Sequence, residues 1–290
     1  RSPRPMSLAY QVPGLRLLRG AQAPRGLVKE LQRDLRRLGY LRTGIDGLFG
    51  KGTEEAIKAL QYDLLYNRGT GPDGAAPVRV RDYNRSRVTL ADGVLDEKLA
   101  GAIADMLADA QFAQVPGIPD PVAENAKIAR DLEAMRPAEV PVPFLLGILK
   151  QESGLKHYAE PTAANDDRFV VVGLDRSSAG EPAITSRGYG VGQYTLFHHP
   201  PTQAEIRDFI LDARANVRMA IRELQDKFAR FVNGTTPGTR ADDRQVEFGR
   251  GALRRCRHRC DDPRYMTDCR SCLAGAGAVD IKAGVTRFYE

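Results

Sequence analysis

The chain has 290 residues, 42% of them hydrophobic and 28% charged, with a formal net charge of +6. That length holds two ordinary domains and the balance is that of a globular protein. No stretch approaches the roughly 20 apolar residues of a bilayer-spanning helix, which excludes membrane insertion of that kind. The positive charge suits polyanions in general, whether nucleic acid, anionic lipid or wall polymer, and does not choose among them.

Residues 1–25 form a basic N-terminal extension with Arg1, Arg4, Arg16, Arg19 and Arg25 and no acid. The short apolar run at 15–18 is broken by Arg16, so no secretory signal is visible; a first residue of Arg1 rather than Met is compatible with processing. Residues 27–38 set Val28, Leu31, Leu35 and Leu38 on one helical face, and Gly39 ends that helix. Asp46-Gly47 marks a tight turn, because glycine tolerates positive φ. Thr53 is placed to cap the next helix, with Glu54 and Glu55 in its first turn and Ile57, Leu60 and Leu64 as its apolar stripe. Residues 66–88 are polar, Gly-rich and Arg-rich, and read as a long surface loop. A second turn, Asp92-Gly93, precedes Leu95, Leu99, Ile103 and Leu107 at helical spacing. Residues 109–121 are a proline-dense linker and a domain boundary.

Beyond the linker, residues 122–135 read as a helix. Pro143 suits the first turn of another, running through Leu145, Leu146, Ile148 and Leu149 to Glu152. Residues 160–187 read as loop with a short strand at 169–172, and 203–231 as a long helical region. Few strands are visible. The fold class is mainly α: a three-helix domain over 26–108 and an α-rich domain with a small strand region over 122–290.

Leu31-Gln32, Leu38-Gly39-Tyr40, Asp46-Gly47-Leu48-Phe49-Gly50, Thr53, Ala56 and Ala59-Leu60-Gln61 together resemble the three-helix peptidoglycan-binding domain. The Asp92-Gly93-Val94 turn and its helix match the end of that domain. The resemblance covers about residues 26–108, with an insertion at 66–88, and implies non-catalytic attachment to cell wall. The turn glycines themselves are geometry rather than ligand contacts.

Glu152 extends the apolar stripe of Leu145, Ile148 and Leu149, just before Ser153 and Gly154. A carboxyl at such a helix end can project into a cleft, where partial desolvation raises its pKa as a general acid needs. From this helix alone, an ordinary exposed glutamate in a last turn is the better reading, and the downstream sequence reverses that. The downstream segment Ser186-Arg187-Gly188-Tyr189-Gly190-Val191-Gly192-Gln193-Tyr194-Thr195 resembles the glycine-rich substrate strand of lysozyme-like lytic transglycosylases. The Asn216 helix, beginning near Asp212, resembles the family's next block, and 272–279 its late segment. Goose-type lysozymes are similar too. The resemblance implies that Glu152 is the catalytic acid and base, and that Ser186, Tyr189, Gln193, Tyr194 and Thr195 contact the glycan. Tyrosines stack on sugar faces and Gln193 offers a donor and an acceptor to a sugar amide. Glycines are expected where a glycan lies against the backbone.

Three departures stand out. Gly192 replaces the usual Met, Cys272-Leu273 replace the late Tyr-Asn, and Thr195 stands where goose-type enzymes carry an acid. Hydrolysis by a carboxylate pair would need another acid; Asp166, Asp167 and Asp175 are candidates, and each also reads as a solvated loop residue. The function implied is cleavage of the MurNAc–GlcNAc bond, by a lytic transglycosylase or alternatively by a muramidase, with a catalytically inactive wall-binding protein as the rival. No catalytic cofactor is implied. Cys256, Cys260, Cys269 and Cys272 fit a structural zinc site or two disulfides. The expected partners are peptidoglycan and an inhibitor or immunity protein, with no nucleic-acid motif. Action in the periplasm or outside the cell follows, as for an antibacterial secreted effector or an endolysin.

Overall fold

The computed structural model describes residues 8–69, 79–135 and 142–231. The chain divides into two compact units that interleave in sequence. One comprises Arg1–Val122, Tyr158–Tyr189 and Tyr194–Leu211; the other comprises Ala123–His157, Gly190–Gln193 and Asp212–Glu290. The unit changes at Val122/Ala123, and the stretch expected as a linker, residues 109–121, belongs to the first unit. The chain nevertheless returns twice to the first unit, which residue-by-residue periodicity does not reveal.

The first unit opens with a short strand β1 (Arg16–Leu17), then helices α1 (Arg25–Arg37) and α2 (Lys51–Tyr66). Strand β2 (Leu95–Asp96) pairs antiparallel with β1 and leads into α3 (Glu97–Ala108). Leu31, Leu35, Ile57, Leu60, Leu99 and Ile103 are buried, as the helical stripes require. Gly39, at φ +84°, ends α1, and the Tyr40 N–H donates back to the Leu35 carbonyl at 2.8 Å. A 3-10 turn over Val80–Tyr83 lies within the segment read as loop.

Two glutamines hold the two Asp-Gly turns by one device. Gln32 Nε2 donates to Asp46 Oδ1 at 2.9 Å and to the Leu48 carbonyl at 3.1 Å, while its Oε1 accepts from the Gly47 N–H at 2.8 Å. Gln61 repeats this on Asp92 at 2.8 Å, the Val94 carbonyl at 3.1 Å and the Gly93 N–H at 2.8 Å. Each amide thus satisfies the buried N–H of the turn glycine as well as a carbonyl beyond it. Thr53 is not the helix cap that the sequence suggests. Helix α2 begins earlier, behind Gly50 and without a side-chain cap, and Thr53 is buried, accepting from Gln32 at 3.1 Å. Asp96 does cap α3, accepting from the Leu99 N–H at 2.8 Å.

The same unit contains a three-stranded antiparallel sheet, ordered β3 (Val172–Arg176), β4 (Ile184–Tyr189) and β5 (Tyr194–Phe197). The sheet is larger than the single strand expected at 169–172, where Val170 makes an isolated bridge to Tyr158 and Val172 opens β3. Arg187 of β4 is fully buried. Its Nε donates to the Gly39 carbonyl at 2.9 Å, its guanidinium lies 3.4 Å from Asp63, and it sits 5.1 Å from the Tyr40 ring centre. Tyr40 donates to the same Asp63 carboxylate at 2.7 Å. After β5, α6 (Gln203–Glu205) carries a capping box from Thr202 and runs into a π-turn over Ile206–Ile210.

The second unit, within its described residues, consists of α4 (Pro121–Asp131, whose first two residues belong to the first unit), a 3-10 turn over Glu133–Met135, α5 (Val142–Ser153), the turn Gly190–Gln193 and α7 (Ala213–Phe231). The helical region expected over 203–231 is therefore two helical pieces separated at Leu211 and Asp212. Architecture overall is mainly helical with small antiparallel sheets. The four cysteines at 256–272 and the late 272–279 segment lie outside the described residues.

Candidate functional site at the end of α5

Helix α5 presents Leu145, Ile148 and Leu149 to the core of its unit and ends on Glu152 and Ser153. Gly154 and Leu155 both take positive φ, +66° and +65°, and the Gly154 N–H closes on the Lys150 carbonyl at 2.9 Å. Glu152 is half-buried in this last turn. Ser153 Oγ lies 2.9 Å from the Leu149 carbonyl and 2.9 Å from the carbonyl of Val191, so its hydroxyl ties the helix end to the Gly190–Gln193 turn.

That turn is braced from two more directions. The Val191 N–H donates to His157 Nδ1 at 3.2 Å, and the Gly192 N–H donates to Asn216 Oδ1 at 2.7 Å. Asn125 completes the frame by accepting the His157 N–H at 3.0 Å. His157 and Asn216 are completely buried. An Nδ1 that accepts from a backbone N–H carries no proton, which leaves the imidazole proton on Nε2. Gln193, at φ +50°, donates from Nε2 to the Gly190 carbonyl at 2.8 Å.

The glycines of this turn serve protein packing. A Cβ on Gly190 would stand 2.5 Å from His157 Cε1, and one on Gly192 would stand 2.9 Å from the Ala220 Cβ. Sequence reasoning assigned that closeness to an approaching glycan; here the close neighbours are His157, Asn216 and Ala220.

Glu152 and Gln193 thus belong to the second unit, together with Ser153, Asn125, His157 and Asn216. The other expected glycan contacts belong to the first unit and have other partners. Ser186 donates to Asp175 Oδ2 at 2.6 Å across the β3–β4 pair. Tyr189 is buried, with its hydroxyl packed so closely on Gly39 that a Cβ there would lie 2.8 Å away. Burial pushes the Tyr189 hydroxyl up to about 12. This ring is a core residue rather than a sugar platform. Tyr194 is half-buried and stacks on Phe209, centroids 4.8 Å apart; Thr195 is exposed on β5 opposite Gly188.

The three aspartates are engaged. Asp166 pairs with Arg33 at 2.6 Å and Lys29 at 3.5 Å. Asp167 is buried against Arg36 and accepts the Phe169 N–H at 3.0 Å; burial pushes its carboxyl up against the opposing pull of Arg36. Asp175 takes the Ser186 hydroxyl. Asp166 and Asp167 therefore read as structural ion-pair partners, not as solvated loop residues. Among the described residues no group of three or more His, Cys, Asp or Glu is placed to hold a metal, and no helix is long and apolar enough to cross a membrane.

Residues 24–64 match the family model of the peptidoglycan binding domain. The match spans α1, the first Asp-Gly turn and nearly all of α2. A peptidoglycan-binding module points to association with peptidoglycan, the partner expected from the sequence. No curated protein and no solved structure matches the chain.

His157 and Asn125 escaped sequence reasoning altogether. Neither lies in a motif or an apolar stripe that marks it. Asn216 carried a signal only through its place in the Asp212–Val217 block.

Proposed function

We propose that the chain cleaves the glycan of peptidoglycan between MurNAc and GlcNAc, as a lytic transglycosylase with Glu152 as acid and then base. The observation that carries this is the Ser153–Val191 hydrogen bond, which sets the glutamate-bearing helix end beside the Gly190–Gln193 turn. Three segments separated in sequence meet there: the Glu-Ser helix end, the Gly-x-Gly-Gln turn and the Asn216 helix.

In the proposed reaction protonated Glu152 gives its proton to the glycosidic oxygen as the bond from MurNAc C1 breaks. The acetamido carbonyl oxygen of the same sugar stabilises the positive C1. The Glu152 carboxylate then takes the proton of the C6 hydroxyl, and O6 bonds to C1, giving a 1,6-anhydro end and restoring the acid. A single carboxyl suffices. The engagement of Asp166, Asp167 and Asp175 elsewhere favours this route over hydrolysis by a carboxylate pair. The wall-binding module would hold the enzyme on its insoluble substrate, in the periplasm or outside the cell, where an inhibitor or immunity protein is a natural partner.

Mass spectrometry of digested sacculi is the test. Anhydro-muropeptides that vanish with Glu152→Gln are the expected result. Reducing ends instead would reassign the chain as a muramidase. Intact sacculi that still retain the protein would leave a wall-binding protein without catalysis.

A further inference from the structure

A second surface feature lies in the first unit, where α1 and α2 begin. An open cavity of about 520 Å3 is lined by Arg19, Arg25, Lys51, Val28, Leu48 and Phe49, with residues 20–23, 47 and 50 completing its wall. Val28 and Phe49 are buried and form an apolar floor; Leu48 is exposed. The rim is cationic, and no acid lines the cavity. Two of the three cations meet carboxylates outside the lining, Arg19 with Glu54 at 3.8 Å and Lys51 with Glu55 at 3.7 Å, while those carboxylates pair more closely with Lys58 at 3.1 Å and Arg176 at 2.9 Å. Arg25 has no ion-pair partner among the described residues. Both helices start at this cavity behind Pro24 and Gly50 without a side-chain cap, and α1 has no acid in its first turn. The first-turn N–H groups of α1 add to the positive character of the three side chains, whereas α2 carries Glu54 in its first turn.

The cavity is shaped by the chain. Gly47, at φ +79°, lies so close to the start of α1 that a Cβ would stand 2.9 Å from the Arg25 carbonyl oxygen. The Gly20 N–H donates to the Phe49 carbonyl at 3.0 Å and fixes the segment that carries Arg19 against the loop. Arg19 lies outside the residues 24–64 that match the family model, so the site draws on the basic extension as well as the module.

We propose that this cavity is an anion subsite for a free carboxylate of the wall peptide, seated among Arg19, Arg25 and Lys51, with the peptide's small apolar side chains on Val28 and Phe49. The proposal rests on the peptidoglycan reading of the module. Guanidinium groups suit a carboxylate by paired hydrogen bonds, and an apolar floor beneath a cationic rim suits a short peptide of mixed character.

The test uses the full chain carrying Glu152→Gln, so that sacculi stay intact, and measures binding to three preparations: untreated sacculi, sacculi stripped of teichoic acid with hydrofluoric acid, and stripped sacculi whose carboxylates are amidated. Arg25→Gln with Lys51→Gln is expected to weaken binding to stripped sacculi about tenfold. Amidation should weaken the parent by a similar factor and erase the difference between parent and variant. Both side chains are exposed, so the thermal melt should not move. Equal binding of parent and variant to stripped sacculi would overturn the subsite while leaving wall binding intact. A difference confined to unstripped sacculi would assign the cations to phosphate and overturn the carboxylate. No sacculus binding by the parent would remove the peptidoglycan reading, and the proposal with it. Loss of duplex DNA affinity with sacculus binding unchanged would make the patch a nucleic-acid contact and overturn the proposal.

Discussion

The hydroxyl of Ser153 donates to the carbonyl of Val191 at 2.9 Å, joining the last turn of α5 to a turn 38 residues further along the chain. Ser153→Ala removes that bond and leaves a part-buried carbonyl with less satisfaction. The expected cost is about 1 kcal/mol of stability. If the chain cleaves glycan as proposed and Glu152 is positioned through this contact, kcat on sacculi should fall while binding to sacculi is retained. Ser153→Thr, which keeps the hydroxyl, should recover most of the rate. An unchanged kcat in Ser153→Ala would show that the contact does not position the acid.

Gly190 and Gly154 separate conformation from packing. Both take positive φ, +78° and +66°, but a Cβ on Gly190 meets His157 at 2.5 Å whereas one on Gly154 meets nothing within 4 Å. Gly154→Ala should cost about 1–2 kcal/mol, the strain of a left-handed alanine. Gly190→Ala should cost about 1–3 kcal/mol more, because the buried imidazole must move as well. Denaturant unfolding of the two variants measures the difference; equal losses would mean that His157 yields freely.

Arg187 is buried on the Tyr40 ring, with Asp63 as its counter-ion. Arg187→Met leaves Asp63 with Tyr40 but no cation. Breaking a buried pair in this way costs about 3–5 kcal/mol. Asp63→Leu combined with Arg187→Met should recover part of that loss, since no uncompensated charge remains. Thermal unfolding of the singles and the double gives the coupling, and strict additivity would exclude an energetic link.

Burial pushes the Asp34 carboxyl up, against the hydrogen bond from Tyr10 at 2.8 Å and the nearby charge of Arg37. A carboxyl raised in the folded state holds its proton more tightly there than in the unfolded chain. Its contribution to stability is present below the ordinary carboxylate range and is lost as pH rises through the raised value. Asp34→Asn keeps the neutral form at every pH. Its stability relative to the parent should therefore improve as pH rises from about 3 to about 7, read by thermal melts across that range. A gap that widens in the other direction would reverse the sign assigned to this group.

Several elements were legible because their signals are local. The stripes of α1, α2 and α3 follow the 3.6-residue period, and Asp46-Gly47 and Asp92-Gly93 name turns whose glycines do take φ +79° and +80°. The Pro143 start and Gly154 stop of α5 were visible for the same reason. Strands β3 and β4 were mostly missed: β4 does not alternate, five of its six residues being buried, and β3 alternates over only five residues. Thr53 looked like a cap because its type and position fit one, yet the helix starts two residues earlier.

By itself the sequence determined the helices, the tight turns, the similarity of residues 24–64 to the peptidoglycan binding domain and the glutamate at a helix end, since each rests on local pattern along the chain. Only the tertiary structure decided that Asp167 meets Arg36 from 131 residues away, that Tyr189 packs on Gly39, and that Asn125, His157 and Asn216 frame the Gly190–Gln193 turn. The physical reason is that a buried polar group must find a partner somewhere in the folded chain, and local pattern carries no record of which distant residue will supply it.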